Sequence, residues 1–367
     1  VVYYNRDAFR RAGLSEPRAD WTWDEALAAA KALTDRQAHP KLFGVSFYKK
    51  PPLFWLPFVW SWGGAPWPDD FSAFALASPA AKAGLRFYRD LRTRWHVAPT
   101  QAESGAASMT DLFVQGRLGM LVSGRWSVPF LRANAPFAWD VAPFPKGPAG
   151  SRVGVDASGY AISATSRHPD EAWELLAYLL AKPQVEAVTA SGLIVPARRD
   201  VAESPVFLDP KAAPVNDRAF LAAVETGVPS RVPPRWNEIA EALALHLGDA
   251  FDGTTSLEAA MAKLRATVPG WFPTSSQGNK HVIPDPSTPT GGKATGTPLT
   301  STHVIPAPQV PKAGGLAGTP LTEAGYSSQK HVPAYTASGV QGVPAGLRPS
   351  ASKTGMTWFF GAEGETP

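Results

Sequence analysis

The chain has 367 residues, with 35 Lys and Arg against 31 Asp and Glu, and it contains no cysteine. The small net charge of +4 and the scattered basic residues argue against a nucleic-acid-binding protein, in which Lys and Arg cluster into a patch. The lack of cysteine excludes disulfide bonds, thiolate metal sites and a cysteine nucleophile. No run approaches the roughly 18 apolar residues of a membrane span, so the sequence predicts no transmembrane helix.

The composition of the chain changes near Phe272. Residues 273–367 contain 13 prolines and 14 glycines in 95 positions, together with many Ser and Thr. Such a segment buries too little apolar surface to offset its conformational entropy. We therefore predict a folded body of residues 1–272 and a disordered tail of residues 273–367, which is either a native linker or an unrelated extension.

Three helix starts stand out in chain order. Thr22 and Glu25 form a T-x-x-E capping box before a helical apolar stripe. Ser78-Pro79 combines an N-cap with a proline at the first helical position. Pro169 opens a third helix, whose predicted inward face carries Ala172, Trp173, Leu176 and Leu180.

Short apolar runs predict strands at residues 118–122, 139–142 and 159–163. Further helices are predicted at residues 217–224, 236–247 and 257–266. The strands are isolated between helices, which favours βα crossovers over hairpins and therefore an α/β fold class.

A series of short motifs keeps one order along the body. The motifs are Val2 to Phe9, Ala12-Gly13-Leu14, Trp21-Thr22-Trp23-Asp24-Glu25, Trp60-Ser61-Trp62-Gly63-Gly64, Phe113 to Met120 followed by Gly124-Arg125-Trp126, Pro143-Phe144-Pro145, Ser158-Gly159-Tyr160-Ala161-Ile162, Gly192 to Arg199 and Pro233 to Ala240. None of these strings is specific alone. Their shared order over some 270 residues resembles the bacterial extracellular solute-binding proteins of the sugar-binding family 1.

This resemblance implies a periplasmic-binding-protein-like fold of type II, in which two lobes close on a ligand. In the family, about the first third of the chain precedes the Tyr3-Tyr4-Asn5 segment, so the resemblance implies that the first lobe is largely missing here. Residues 1–272 would then supply mostly the C-terminal lobe, with about residues 158–193 crossing to the N-terminal lobe.

The function that the resemblance implies is delivery of a carbohydrate to an ABC-type importer. Its partners would be a mono- or oligosaccharide and the membrane permease subunits, with no nucleic acid, and the protein would be a monomer. It would be located in the periplasm or tethered outside the membrane, and its signal sequence is not in this chain.

Aromatic side chains are the first candidates for a sugar site, because a ring can cover the apolar face of a sugar while polar groups bind its hydroxyls. Trp126 follows a predicted strand and Gly124, where α/β proteins bind ligands. Trp60 and Trp62 flank a Gly-Gly turn, and Trp236 opens a late helix. Each ring has core packing as its alternative. For Trp23, Trp95, Trp139 and Trp173 we predict core packing.

The remaining ligand-binding candidates are polar or backbone groups. In the family, the segment with Tyr4 and Asn5 lines the cleft, although a strand-end role is equally compatible with the sequence. Asp156 and Gly159 lie in a turn where the family usually has Gly-Gly, and Arg198 follows a Gly…Pro segment. A solvated turn and a surface ion pair are the alternatives for Asp156 and Arg198.

Catalytic chemistry has little support in the sequence. The seven histidines are widely spaced, and no metal-ligand, nucleophile-elbow or phosphate-loop motif is present. We therefore predict a binding protein without catalytic residues, metal or cofactor. Because glycosidase carboxylates can lie anywhere in a sequence, a glycoside-processing enzyme remains the alternative, with a non-binding structural fragment as the third.

Overall fold

The computed structural model describes residues 1–48 and 52–267. Four strands form the main sheet and two short strands form a separate ribbon: β1 (Val2–Asn5), β2 (Phe43–Ser46), β3 (Leu118–Val122), β4 (Trp139–Ala142), β5 (Gly154–Val155) and β6 (Val228–Pro229). The predicted boundary at Phe272 and the tail of residues 273–367 lie outside the described residues.

Helices make up most of the remaining regular structure. In chain order they are α1 (Arg6–Arg11), α2 (Trp23–Ala32), α3 (Pro52–Ser61), α4 (Pro79–Thr93), α5 (Gln101–Ser104), α6 (Met109–Val114), α7 (Val128–Asn134), α8 (Pro169–Leu179), α9 (Lys182–Ala190), α10 (Arg199–Ala202), α11 (Arg218–Thr226), α12 (Trp236–Phe251) and α13 (Leu257–Thr267), with a 3-10 turn at Arg125–Ser127. The mixture confirms the predicted α/β class.

The order of strands in the sheet is β2-β3-β1-β4. Strands β2 and β3 are parallel, and β1 is antiparallel to both of its neighbours, β3 and β4. Strands β2, β3 and β4 therefore run in one direction and end at the same edge of the sheet. The predicted preference for crossovers holds, because sequential strands do not pair as hairpins in this sheet.

Both faces of the sheet are covered, and β1 shows this most clearly. Val2 and Tyr4 belong to a core built with α2, α3, α4, α12 and α13, whereas Tyr3 belongs to a second core that includes α6, α7 and α11. This alternation follows from the two-residue period of a strand. All four residues of β1 are buried, as expected for a strand with helices on both sides.

The predicted helix starts agree with the structure. The Thr22 hydroxyl accepts a hydrogen bond from the Glu25 amide, and the Glu25 carboxylate accepts one from the Thr22 amide at 2.8 Å. Ser78 caps α4, with Pro79 in its first turn. Strands β3 and β4 match their predicted ranges, and α11, α12 and α13 lie at the predicted late-helix positions.

Two predictions for the segment after β5 are wrong. Residues 159–163 form no strand, because no strand of the described chain pairs with them. In α8, Leu176 is buried, but Trp173 is 65% exposed and Leu180 is 52% exposed, so the predicted inward face is only partly covered. Within the described residues, no helix is long and apolar enough to cross a membrane.

Candidate functional site

Three chain segments leave the sheet at one edge, which we call the carboxyl edge. They follow Ser46 of β2, Val122 of β3 and Ala142 of β4. Ligands of α/β proteins bind beyond the carboxyl ends of strands, since the connecting loops there carry side chains on a rigid support. This edge is therefore the first place to look for a site.

Trp126 lies on the loop that follows β3, which we call the Trp126 loop (residues 123–127). Its side chain is 50% exposed, although the residues on either side, Arg125 and Ser127, are buried. The indole lies over the backbone of Gly124, and any Cβ at that glycine would overlap the ring. Glycine at position 124 thus supports one face of the indole and lets a large part of the ring face solvent.

Hydrogen bonds brace the Trp126 loop against the sheet. The Tyr3 hydroxyl donates to the Gly124 carbonyl oxygen at 2.6 Å. The hydroxyl oxygens of Ser123 and Ser127 lie 2.8 Å apart, and both side chains are buried. Burial raises the pKa of Tyr3, so its phenol stays protonated as a donor at neutral pH.

The loop is also tied to α11 by a buried ion pair. The guanidinium of Arg125 donates through Nη1 to Oδ1 of Asp217, and Nη2 lies 3.4 Å from Oδ2. Burial raises the pKa of Asp217, while hydrogen bonding and charge from Arg125 oppose that rise. Sequence reasoning missed both residues, because they are 92 positions apart and no local pattern connects them.

Phe130 is a further aromatic residue that sequence reasoning missed. It lies on α7, four positions after Trp126, and 41% of its side chain is exposed. Trp126 lies in the 3-10 turn before α7, so helical spacing does not place the two rings on one face, and closeness in sequence was the only available signal. Phe130 is thus a second exposed aromatic side chain close in sequence to Trp126.

Trp60 and the turn with Asp156 come together at the β5–β6 ribbon. Trp60 is half-buried on α3 and packs against Gly154, where a Cβ would lie 3.4 Å from its ring. Asp156 directly follows β5 and is exposed, as is Gly159, which has open space around its Cα. Trp60 and Asp156 are thus both placed at the β5–β6 ribbon, and Gly159 lies three residues after Asp156.

Trp236 begins α12 and packs into an aromatic cluster. Its ring meets Trp67 edge to face at 5.7 Å, and Trp67 Nε1 donates to the Arg231 carbonyl oxygen at 3.1 Å. The ring of Trp236 is only partly buried. The structure therefore gives it a stapling contact, with part of the side chain still accessible.

Tyr4 and Asn5 lie away from Trp126. Because β1 runs against its neighbours, Asn5 pairs with Trp139 at the beginning of β4, at the edge opposite the carboxyl edge. Tyr4 is buried, and its hydroxyl donates to Glu16 at 3.0 Å. Asn5 caps α1 by accepting a hydrogen bond from the Ala8 amide at 2.8 Å. Both residues have structural contacts that account for their presence.

Trp62 and Arg198 also have local partners. Trp62 packs 4.6 Å from Phe87 and stacks on Phe58, at the margin of the core. Arg198 is exposed and pairs with Asp200 at 3.1 Å, and the hydrogen bond from Arg198 lowers the pKa of Asp200. The partners of these two side chains, Phe58, Phe87 and Asp200, all lie outside the Trp126 loop.

Other chemistry has little basis in the described residues. No group of three or more His, Asp or Glu among them is arranged to hold a metal ion. An open cavity of about 430 Å³ contains none of the predicted site residues and is lined by Arg36, Arg92, Thr93, His96, Thr100, Glu103, Asp252 and Gly253. Four tryptophans were predicted to pack in the core. Trp23 and Trp139 are buried as expected and Trp95 is half-buried, whereas Trp173 is exposed.

The sequence profile described as bacterial extracellular solute-binding protein matches residues 1–186, half of the chain. The chain therefore belongs to the bacterial extracellular solute-binding protein family. A binding protein of Brucella abortus strain 2308 is 25% identical over 244 residues, which are 66% of this chain and 58% of the relative. A binding protein of Brucella suis biovar 1 gives the same values. The chain thus spans less than two thirds of these relatives.

Solved structures show the same fold. An ABC substrate-binding protein of Listeria monocytogenes in complex with cycloalternan has a TM-score of 0.65 at 24% identity, covering 73% of this chain and 68% of that one. A solute-binding protein of Thermotoga lettingae bound with alpha-D-tagatose has a TM-score of 0.61 at 23% identity, covering 73% and 69%. These likenesses confirm the predicted periplasmic-binding-protein-like fold.

Proposed function

We propose that this protein binds a carbohydrate and delivers it to an ABC-type importer. The observation that carries the proposal is Trp126, a half-exposed indole on a braced loop at the carboxyl edge of the sheet. The sugars named for the Listeria and Thermotoga structures, cycloalternan and tagatose, support the same ligand class. The particular sugar is not part of the proposal.

Stacking is the chemical role of Trp126 in this proposal. A pyranose has apolar C–H faces and polar edges, so a flat ring removes the apolar face from water while hydroxyls bind polar groups. Burying about 60 Å² of apolar area at about 25 cal/mol per Å² gives about 1.5 kcal/mol, or about tenfold in affinity. Phe130 would extend this wall for a longer saccharide.

Of the other predicted site residues, the proposal keeps four as candidate ligand contacts and leaves four out. Trp60, Asp156, Gly159 and Trp236 surround the β5–β6 ribbon or the loop after it, and we keep them as candidates for a second part of the site. Tyr4, Asn5, Trp62 and Arg198 have local partners, and we leave them out of the proposed contact surface.

We further propose that the described residues supply mainly one lobe of a two-lobe protein. The apolar side chains exposed on and around α8 and α9 would be the contact face for the other lobe, which residues 158–193 would join; they are Tyr160, Trp173, Leu175, Tyr178, Leu180, Val188 and Leu193. Such a face is unusual on a finished surface. A ligand that touches both lobes would favour the closed state, because only that state makes all contacts.

The same proposal includes the domain bounds, the oligomeric state, the membrane partner and the location of the protein. The solute-binding domain would comprise residues 1–272, act as a monomer, and dock on permease subunits in the membrane when closed. Its place would be the periplasm or the outer side of the membrane, as the family description implies. The bound sugar is released chemically unchanged, which distinguishes this proposal from a glycoside-processing enzyme. Binding of the sugar distinguishes it from a structural fragment, which would bind none.

Saturation-transfer difference NMR tests the proposal, because it detects the weak binding expected of one wall of a cleft. Cycloalternan, maltose, maltotriose and tagatose are each mixed with the 367-residue chain and with its Trp126→Ala variant. We expect transfer to the C–H protons of at least one sugar, lost in the variant, with the sugar intact after a day. Transfer that is absent, or equal in the variant, contradicts the proposal, and cleavage of the sugar favours the enzyme.

A further inference from the structure

Two consecutive residues in the 3-10 turn after β3 differ sharply in burial. The side chain of Arg125 is only 3% exposed, whereas that of Trp126 is 50% exposed. Because one peptide unit joins the two residues, the position of the Arg125 backbone constrains the direction in which the indole leaves the loop. The contacts of Arg125 therefore bear directly on Trp126.

The Arg125 guanidinium is enclosed by one carboxylate and two aromatic rings. Asp217, with a side chain 1% exposed, accepts hydrogen bonds from both Nη atoms. The guanidinium carbon lies 4.2 Å from the ring centre of Phe207 and 5.1 Å from that of Phe220. A planar cation between rings and a bidentate carboxylate has few alternative orientations.

The partner of Arg125 is itself held in place. The side-chain Nδ2 of Asn216, next to Asp217, donates to the Val141 carbonyl oxygen at 3.0 Å, and the backbone N–H of Asn216 donates to Asp140 Oδ1 at 3.0 Å. Arg132 of α7 donates to the Ala213 carbonyl oxygen at 2.6 Å. The segment before α11 is thus fixed to β4 and to α7, and Asp217 offers Arg125 a rigid acceptor.

We propose that Arg125 and Asp217 are positioning residues for ligand binding, holding the Trp126 loop so that the indole is presented in one orientation. The proposal rests on the proposed function only in taking Trp126 as the ligand contact. It makes α11 part of the binding apparatus, although α11 contributes none of the predicted contact residues. A ring held in place before the ligand arrives loses less freedom on binding.

The chemistry of the pair favours positioning over stability as its role. A buried ion pair is a weak source of stability, since desolvation offsets its attraction, and apolar residues of similar volume often serve equally well. Such residues would fill the space between Phe207 and Phe220 but would not define one orientation. The directional contact of Arg125 with Asp217 is what an apolar replacement would lose.

The test follows the mobility of Trp126 without any ligand. The 367-residue chain is labelled with 5-fluorotryptophan, and the fluorine resonance of Trp126 is assigned by its loss in Trp126→Phe. Its transverse relaxation is measured in Asp217→Asn and in Arg125→Met/Asp217→Leu. The double variant removes both charges together, so it avoids an unpaired buried charge. Phe113→Leu, in the same core but in contact with Phe137, is the destabilised control.

We expect the Trp126 resonance to split or to change its relaxation rate at least twofold in the folded double variant, and likewise in Asp217→Asn if that variant folds. In Phe113→Leu the resonance stays as in the wild type. A Trp126 resonance that is unchanged in the double variant, or changes no more than in Phe113→Leu, overturns the proposal. If no sugar affects wild-type Trp126, the proposed function fails, while the relaxation comparison still decides whether Arg125 and Asp217 orient the ring.

Discussion

The Tyr3 hydroxyl donates a hydrogen bond to the Gly124 carbonyl oxygen, and the 2.6 Å between them connects the centre of the sheet to the Trp126 loop. Tyr3 is fully buried, and its ring packs 5.8 Å from Trp139 and 6.3 Å from Phe220. The loop that carries the exposed indole is therefore supported by a rigid aromatic side chain from β1. Contacts of the buried core thus hold the Trp126 loop in position.

Tyr3→Phe should lower the free energy of unfolding by about 0.5–1.5 kcal/mol, because the Gly124 carbonyl oxygen loses the 2.6 Å hydrogen bond and keeps only the longer one from the Ser127 amide at 3.3 Å, while the ring contacts of Tyr3 remain. Urea denaturation of the two proteins measures this. Tyr4→Phe is the matched control, since its hydroxyl bonds only to the more exposed Glu16 and should matter less. A larger loss in Tyr4→Phe than in Tyr3→Phe would show that Tyr3 does not brace the loop.

Trp126→Ala should affect stability much less than Trp139→Ala does. Trp126 is half exposed, so its loss should lower the free energy of unfolding by about 1–2 kcal/mol, whereas the buried Trp139 should lower it by about 3–5 kcal/mol. Thermal melts of both variants provide the comparison. If Trp126→Ala melts as low as Trp139→Ala, Trp126 is a core residue and the stacking role passes to Trp60 or Trp236.

Glu103 provides a pH-dependent prediction away from the site. Burial opposes its charge, but hydrogen bonds from the Thr100 amide and hydroxyl and from Lys41 outweigh burial and lower its pKa. A lowered folded-state pKa gives stability that is present above the unfolded value of about 4.3 and lost as the pH falls through the folded value.

The prediction is tested with Glu103→Gln, which should be less stable than the wild type at pH 7 by at most about 1 kcal/mol, the range for such partly exposed pairs. The difference should shrink as the pH is lowered from 7 toward 3, because the wild-type carboxylate takes up a proton as the pH falls toward and through its folded-state pKa. Melting curves of both proteins at the two pH values measure it. A difference that grows on acidification would mean that the pKa of Glu103 is raised.

The exposed face of α8 leads to another prediction. Trp173 is 65% exposed, so Trp173→Ser should change the free energy of unfolding of this chain by no more than about 0.5 kcal/mol. Leu176→Ser, at the buried position of the same helix, should lower it by several times as much. Denaturant titration of both variants checks this. Equal losses would mean that Trp173 is packed and that no face is left for a second lobe.

Local sequence signals were sufficient for much of the fold. The capping box of Thr22 and Glu25 is set by contacts within three residues, and the strand at residues 118–122 shows in the sequence as a short apolar run, although its pairing partners are distant; both were predicted correctly. Trp173 was predicted as buried because its helical spacing is apolar, but spacing does not show whether a partner covers that face.

The candidate site was only partly predictable. Trp126 could be proposed because a glycine and a strand end precede it. Arg125 and Asp217 could not, since their pairing depends on how α11 packs on the second core, 92 positions away. The direction of β1 was also not encoded locally, and it places Tyr4 at the edge opposite Trp126. Packing of α11 decided the first outcome, and the long-range pairing of β1 decided the second.

The most direct test of the central claim is a sugar titration of the 5-fluorotryptophan-labelled chain, observed at the Trp126 resonance. The claim predicts that at least one of cycloalternan, maltose, maltotriose and tagatose shifts this resonance in a saturable manner, while the resonances of the buried Trp23 and Trp139 stay in place. A panel in which no sugar shifts Trp126, or in which all tryptophan resonances move together, would contradict the claim that this indole is the carbohydrate contact.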